Sequence, residues 1–148
     1  MITFIQRQRW RLSLTLLGCL LLILNGCNTK TNPRSINYQL LNQSQWVLSK
    51  SVNQLPRPVS ISFERGRMNG FNGCNSYSGS YLASEDGTLV LGQPSVTRML
   101  CSGAADEIER DYMAQLTKVR MYALVRGQLL LLDTQRKPLL TFQAQQSK

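Results

Sequence analysis

The chain has 148 residues, of which 43% are hydrophobic, 7% aromatic and 17% charged, enough for one domain and too little for two comfortable ones. Seventeen Lys and Arg against eight Asp and Glu give a formal charge of +9, and the absence of histidine excludes His-based triads, His general bases and His-ligated metals. The aliphatic content is too high and the polar runs are too short for a disordered chain, and no Gly-X-Y or heptad period is present.

Met1 to Arg11 carry Arg7, Arg9 and Arg11 with no acidic group, and an apolar run of thirteen residues follows from Leu12 to Leu24. This is a signal-peptide profile, and the run is well short of the roughly 20 residues a spanning helix needs. It ends in Leu24-Asn25-Gly26-Cys27, which resembles a bacterial lipobox, a small residue before a Cys that is acylated and becomes the new N-terminus. A competing box at Leu16-Leu17-Gly18-Cys19 leaves the apolar stretch Leu20 to Leu24 on the mature chain, so Cys27 is the better acceptor. The expected organisation is a lipoprotein signal peptide over 1–26, a polar tether over 27–37 starting at the lipidated Cys27, and a folded domain over 38–148. Two or three acyl chains hold a protein on a membrane stably where one does not. Asn28, rather than Asp, follows the acylated Cys, so the expected place is the outer membrane, facing the periplasm.

Removing residues 1–26 takes away three arginines, so 17 − 3 = 14 basic and eight acidic groups remain, a net charge of +6. The basic residues are scattered, without the clustering and interleaved aromatics of a nucleic-acid surface, and no nucleic-acid partner is expected. Attraction to anionic lipid headgroups or acidic polysaccharide, weakening with salt, is weighed against an ordinary solvated mixed surface. With Cys19 removed and Cys27 acylated, Cys74 and Cys101 remain in an oxidising compartment. A single disulfide is the economical reading; two buried free thiols or one reactive thiol are the alternatives.

The folded part begins near Tyr38 to Trp46. Val59, Ile61 and Phe63 alternate with Ser60, Ser62 and Glu64, the period-2 pattern of a strand with one buried face, ended by Arg65-Gly66. A short return strand runs to Phe71. A turn-rich stretch with Asn69-Gly70 and Asn72-Gly73 precedes a further strand, in which Tyr77, Gly79 and Tyr81 share one face. Asp86-Gly87 marks a hairpin before Thr88 to Leu91. From Ala104 the period changes: Ala105, Ile108, Tyr112, Leu116 and Val119 fall three and four apart, while Asp106, Glu107, Glu109 and Asp111 occupy the other side of an amphipathic helix. Ser102 is the expected N-cap, with acidic residues in the early turns where the helix dipole favours them. Val119, Met121, Ala123 and Val125 then alternate up to Arg126-Gly127, and Gln128 to Leu132 and Leu139 to Phe142 complete a three-strand meander.

Gly73-Cys74-Asn75-Ser76-Tyr77-Ser78-Gly79-Ser80-Tyr81, followed by Thr97-Arg98-Met99-Leu100-Cys101 and the helix holding Glu109, resembles the META (HslJ-like) domain family. The resemblance extends from about Trp46 to Phe142. It implies an α+β fold, an antiparallel, barrel-like sheet with one amphipathic helix, in exported or membrane-associated proteins linked to heat stress, motility and novobiocin sensitivity. It implies no catalytic residue, metal or cofactor. The motif residues have structural explanations: Gly73 and Gly79 permit turns or close strand approach, Asn75 bonds local backbone, and Cys74 meets Cys101.

The expectation is therefore a non-catalytic envelope lipoprotein that supports outer-membrane integrity, heat or antibiotic stress tolerance or motility, membrane-bound through Cys27, with a periplasmic or outer-membrane protein as partner. The alternative is a periplasmic protein-binding module, such as an inhibitor of a cell-wall hydrolase, inserting segment 69–80 or the Ser84 to Gly87 turn into a cleft. An enzyme is not expected, because no Gly-x-Ser-x-Gly, Ser-x-x-Lys, P-loop or metal-ligand spacing occurs and Glu107 and Asp111 read as a solvated acidic face. Arg98 is the one basic residue singled out for anion binding, set against an Arg lying across a sheet edge.

Overall fold

The computed structural model describes residues 38–42, 45–49 and 55–145; the segments expected to be a signal peptide (1–26) and a tether beginning at Cys27 (27–37) lie outside the described residues. Residues 38–42 are helical and bury Leu41. Nine strands follow with one 13-residue helix among them: β1 Gln45–Leu48, β2 Ser60–Glu64, β3 Arg67–Phe71, β4 Ser76–Ala83, β5 Leu89–Leu91, β6 Ser95–Val96, α1 Ala104–Leu116, β7 Met121–Val125, β8 Gln128–Leu132 and β9 Pro138–Ala144. Neighbouring strands pair antiparallel in the order β5-β4-β3-β2-β1-β9-β8-β7, and β6 adds to β4. The two ends of this sheet come together. Leu89 N–H donates to the Arg120 carbonyl at 2.9 Å and Tyr122 N–H to the Gly87 carbonyl at 2.8 Å, and Thr88 and Met121 form a bridge. The sheet is thus curled into a nearly closed barrel, which leaves little edge for foreign strands to pair with.

Alternation fills the barrel. Ile61 and Phe63 of β2, Tyr77 and Tyr81 of β4, Leu129 and Leu131 of β8, and Leu140 and Phe142 of β9 point inward and are buried; polar or small residues lie between them in β2, β4 and β9, and the half-buried Leu130 in β8. Each large side chain taken from water contributes about 1.5–3 kcal/mol, so these inward rows carry the stability of the fold. Two hairpins use the same turn: Arg65-Gly66 between β2 and β3 and Arg126-Gly127 between β7 and β8 all take positive φ, the two-residue type I′ geometry whose twist matches that of the strands.

The α+β barrel expected from the sequence is the one observed, with five local corrections, the first being that Asn69-Gly70 lies inside β3, paired on both sides, rather than in a turn. The helix N-cap is Gly103, with no side-chain cap, and Ser102 lies one residue outside it. The helix ends at Leu116, so Val119 belongs to the following turn, although it is fully buried. In β7 the buried residue is Tyr122, while Met121 and Ala123 are half-buried and Val125 is exposed. A phenol with a large apolar ring outcompetes the smaller side chains for the barrel interior, which reverses the face read from the aliphatic alternation. Strand β6 was not foreseen, since two residues carry no period.

Candidate functional site

The motif residues converge where the barrel wall meets the helix. Asn72 and Asn75 are the two buried polar side chains of the described residues, and the segment between them turns back on itself. Asn72 N–H donates to the Asn75 carbonyl at 3.0 Å, and the Asn72 Oδ1 accepts the backbone N–H of Cys74 at 3.2 Å and of Asn75 at 2.7 Å. This is an Asx-type turn, in which a carboxamide stands in for backbone partners that a tight reversal cannot supply. Gly73 takes φ +113° at its apex, and a Cβ there would lie 2.9 Å from Ile108 Cγ2 on α1. Only glycine lets the turn pack so closely on the helix.

Asn75 does not bond local backbone, as the sequence reading had it, but reaches across to the segment after β6. Its Oδ1 accepts the Met99 N–H at 2.7 Å and the Thr97 hydroxyl at 2.8 Å, and its Nδ2 donates to the Met99 carbonyl at 3.3 Å. Thr97 in turn accepts the Ser76 N–H on Oγ1 at 3.1 Å and donates its own backbone N–H to the Ser76 carbonyl at 3.0 Å. The remaining direction is toward the helix. Glu109 accepts the Asn72 Nδ2 on Oε1 at 2.9 Å and the Asn75 Nδ2 on Oε2 at 3.0 Å. A half-buried carboxylate thereby receives amide donors from two side chains, the charge-assisted pairing that offsets its loss of water. The disulfide between Cys74 and Cys101, with Cα atoms 6.0 Å apart, fastens the same segment covalently.

The other expected residues fall into place around this lock. Tyr77 and Tyr81 face the interior. The Tyr77 and Tyr112 hydroxyls are 2.5 Å apart, and the Tyr77 hydroxyl also donates to the Ser60 carbonyl at 3.1 Å, so Tyr112 donates to Tyr77 in a chain linking helix and barrel. Burial raises the pKa of Tyr112 far above the ordinary phenol value, outweighing the smaller lowering effect of its hydrogen-bonded neighbour Tyr77. Burial, reinforced by the Tyr112 phenol, likewise holds Tyr77 well above that value. Tyr81 packs edge-on to Phe63 at 5.0 Å and donates to the Asn42 carboxamide oxygen, tying the helical residues 38–42 to the wall. Gly79 lies within β4, where a Cβ would meet Met68 Cε at 2.7 Å, so its role is close strand packing rather than a turn.

Arg98 is exposed, makes no hydrogen bond or ion pair among the described residues, and belongs to the strap 97–101 rather than lying across a sheet edge. Arg57 is held on two sides: its guanidinium stacks 3.8 Å above the Phe71 ring and donates to Ser76 Oγ at 2.8 Å. Glu107 and Asp111 are exposed on the outer helix face, and Asp106 pairs with Arg110 at 3.3 Å. Among the described residues no group of three or more Cys, Asp or Glu side chains could hold a metal ion. A cleft of about 760 Å³ opens between Tyr38, Asn42, Gln45 and the Glu64-Arg65-Gly66 turn, and is lined by none of the motif residues.

Sequence reasoning placed Asn72 in a turn and Glu109 on the acidic face, and missed that they bond each other. The signal was present in the spacing: Glu109 lies four residues after Ala105 and three before Tyr112, which puts it on the border of the apolar stripe.

The sequence signature of the META domain matches residues 39–146, spanning the strap, the lock and the whole barrel. The chain belongs to the META domain family. An NMR structure of a protein from Burkholderia xenovorans shares 26% identity, with a TM-score of 0.61 over 83% of this chain and 99% of that one. A second NMR structure shares 27% identity, with a TM-score of 0.54, covering 71% of this chain and 92% of that one. A DUF4847 family protein from Bacteroides vulgatus, at 14% identity and a TM-score of 0.54 over 74% of this chain and 98% of that one, shares the fold alone. No curated protein matches the chain. Within this META domain, the polar motif residues Asn75 and Thr97 and the neighbouring Asn72 are committed to one another, to Glu109 and to the strap.

Proposed function

We propose that this META domain protein is a non-catalytic lipoprotein of the cell envelope, held by acyl chains on Cys27 at the outer membrane facing the periplasm, where it supports membrane integrity under heat or antibiotic stress. The observation that carries the reading is the Cys74–Cys101 disulfide closing the motif. Structural disulfides of this kind persist in exported proteins and are rare in reducing compartments. The basic leader, the thirteen-residue apolar run and the Leu24-Asn25-Gly26-Cys27 sequence agree with export and acylation.

A non-catalytic role is supported by the state of the polar groups. Asn72, Asn75, Thr97 and Glu109 spend their bonding capacity on the fold, and the Tyr77 and Tyr112 phenols are buried and held protonated far beyond neutral pH. The inhibitor alternative asked segment 69–80 to enter a partner's cleft. That segment is built into β3, the buried turn and β4 and has no projecting tip, whereas Ser84, Glu85 and Asp86 of the other candidate turn, between β4 and β5, are exposed.

Incorporation of labelled palmitate into the wild type and into Cys27→Ser, followed by envelope fractionation, tests the proposal. The wild type should carry label and float with outer membranes, and Cys27→Ser should carry none. A strain lacking the protein should lose tolerance to heat and novobiocin, restored by the wild type. Unlabelled protein in the cytoplasm with Cys74 and Cys101 as free thiols would overturn the reading.

A further inference from the structure

The strap between β6 and α1 holds its backbone rigidly and turns its apolar side chains away from the protein. Met99 has both peptide groups paired with the Asn75 carboxamide, Thr97 is bonded to Asn75 and Ser76, and Cys101 is joined to Cys74. Between these fixed points Leu100 is 104% exposed and Met99 64% exposed. Isolated exposed apolar side chains are ordinary. Two adjacent ones on a segment clamped from both sides are different, because the clamp removes the freedom by which the strap would fold them back onto the barrel. The fold thus presents a stiff, convex apolar tip with Arg98 beside it.

Resting on the reading that acyl chains on Cys27 hold the chain to a membrane, we infer that Met99 and Leu100 form a foot that enters the phospholipid interface and fixes how the domain is seated on it. A protein partner is the weaker fit. A stable protein interface covers about 800 Å² per partner and pairs a projecting anchor with a rim of surrounding contacts, whereas this tip is two side chains on a narrow strap. A lipid surface needs no complementary pocket and accepts single apolar side chains between headgroups. Arg98 can bury its methylene stem alongside them and keep its guanidinium at the level of the phosphates.

The tether makes so small a contact sufficient. Only ten residues, 28–37, separate Cys27 from Tyr38, a reach of at most about 36 Å when fully extended. A domain confined that close to the bilayer meets it at high effective concentration, so a weak contact orients the domain without having to attach it. The start of α1 brings Asp106 and Glu107 near the strap, with Asp106 already paired to Arg110. Local charge is therefore close to balanced, and the contact is led by apolar insertion rather than by basic attraction. Salt should weaken it little, in contrast with the electrostatic adsorption expected from net charge alone.

The test places a photoreactive benzoylphenylalanine at position 100, and at position 82 as a control, in the full-length chain. Leu82 is 74% exposed on β4, far along the barrel wall from the strap. Each protein is reconstituted into vesicles of equal parts phosphatidylethanolamine and phosphatidylglycerol, irradiated, and analysed by mass spectrometry; the same crosslink is repeated in cells. Lipid adducts at position 100 should exceed those at position 82 by about tenfold and persist at high salt. Acyl mass on Cys27 with equal lipid adducts at the two positions would overturn the foot and leave the anchor standing. A discrete protein adduct at position 100 in cells would also overturn it, and would transfer the tip to a protein partner. Absence of acyl mass on Cys27 would overturn the anchor reading itself, and this inference with it.

Discussion

The carboxamide of Asn75 pairs with the peptide group of Met99 as one strand pairs with another, its Oδ1 taking the N–H at 2.7 Å and its Nδ2 giving to the carbonyl at 3.3 Å. The same Nδ2 group lies 3.0 Å from Glu109 Oε2 on the helix. One buried side chain therefore joins the barrel wall, the strap and α1. This explains why an asparagine follows the cysteine at this position: a carboxylate would repel Glu109 and lose its donors, and an apolar residue would leave the part-buried Met99 peptide groups without their side-chain partner.

Replacing Cys74 and Cys101 together by alanine should lower stability by about 3–4 kcal/mol, the chain-entropy value for closing a loop of this length. Urea unfolding with and without reductant checks it. The wild type under reducing conditions should approach the stability of the double variant. The lock should keep the barrel itself folded, because neither sulfur belongs to the inward rows.

Alkali should destabilise the protein through its buried phenols. Tyr77 and Tyr112 have folded pKa values above the ordinary 10.0, so their contribution is fully present below that pH and is lost as pH rises through and beyond it toward the folded values. Each phenol that ionises on unfolding steepens the loss by about 1.4 kcal/mol per pH unit. Stability measured across the alkaline range should fall with the slope of at least two protons, and Tyr112→Phe should reduce that slope by about one. An unchanged slope in Tyr112→Phe would remove the helix–barrel phenol pair from the account.

Gly73→Ala should cost about 2–3 kcal/mol, since it combines a positive φ with a Cβ pressed against Ile108. Gly103→Ala provides the comparison: its φ of +63° with ψ −136° is also closed to most side chains, but the added methyl meets open space, so its cost, about 1–3 kcal/mol, is backbone strain alone. Thermal melts of the two variants separate backbone strain from packing. Pairing Gly73→Ala with Ile108→Ala should recover part of the clash.

Most of the barrel was legible in the sequence because strands announce themselves by alternation. Ile61 and Phe63, Tyr77 and Tyr81, and Leu140 and Phe142 are buried as their period requires. The reading failed where a local rule met a tertiary one. In β7 the aliphatic alternation pointed to Met121 and Ala123, while the barrel interior accepted Tyr122, whose hydroxyl reaches the Ser84 carbonyl at 3.1 Å. At the motif, turn chemistry predicted a local backbone bond for Asn75, and apart from the adjacent Cys74 sulfur the actual partners of its side chain lie 22 to 34 residues away. No pattern within a short window encodes a bond between residues on a turn and a helix. Only Glu109's position at the border of the apolar stripe hinted that its carboxylate turns inward.

A double-mutant cycle between Asn75 and Glu109 tests most directly the claim that the META motif of this chain is a structural lock joining wall and helix. Each single alanine variant should lose about 2–3 kcal/mol, the cost of stranding buried polar partners. The double variant should lose less than their sum by about 1–2 kcal/mol, because removing both partners leaves fewer groups unpaired. Costs that add to within about 0.4 kcal/mol would show two independent residues and contradict the lock.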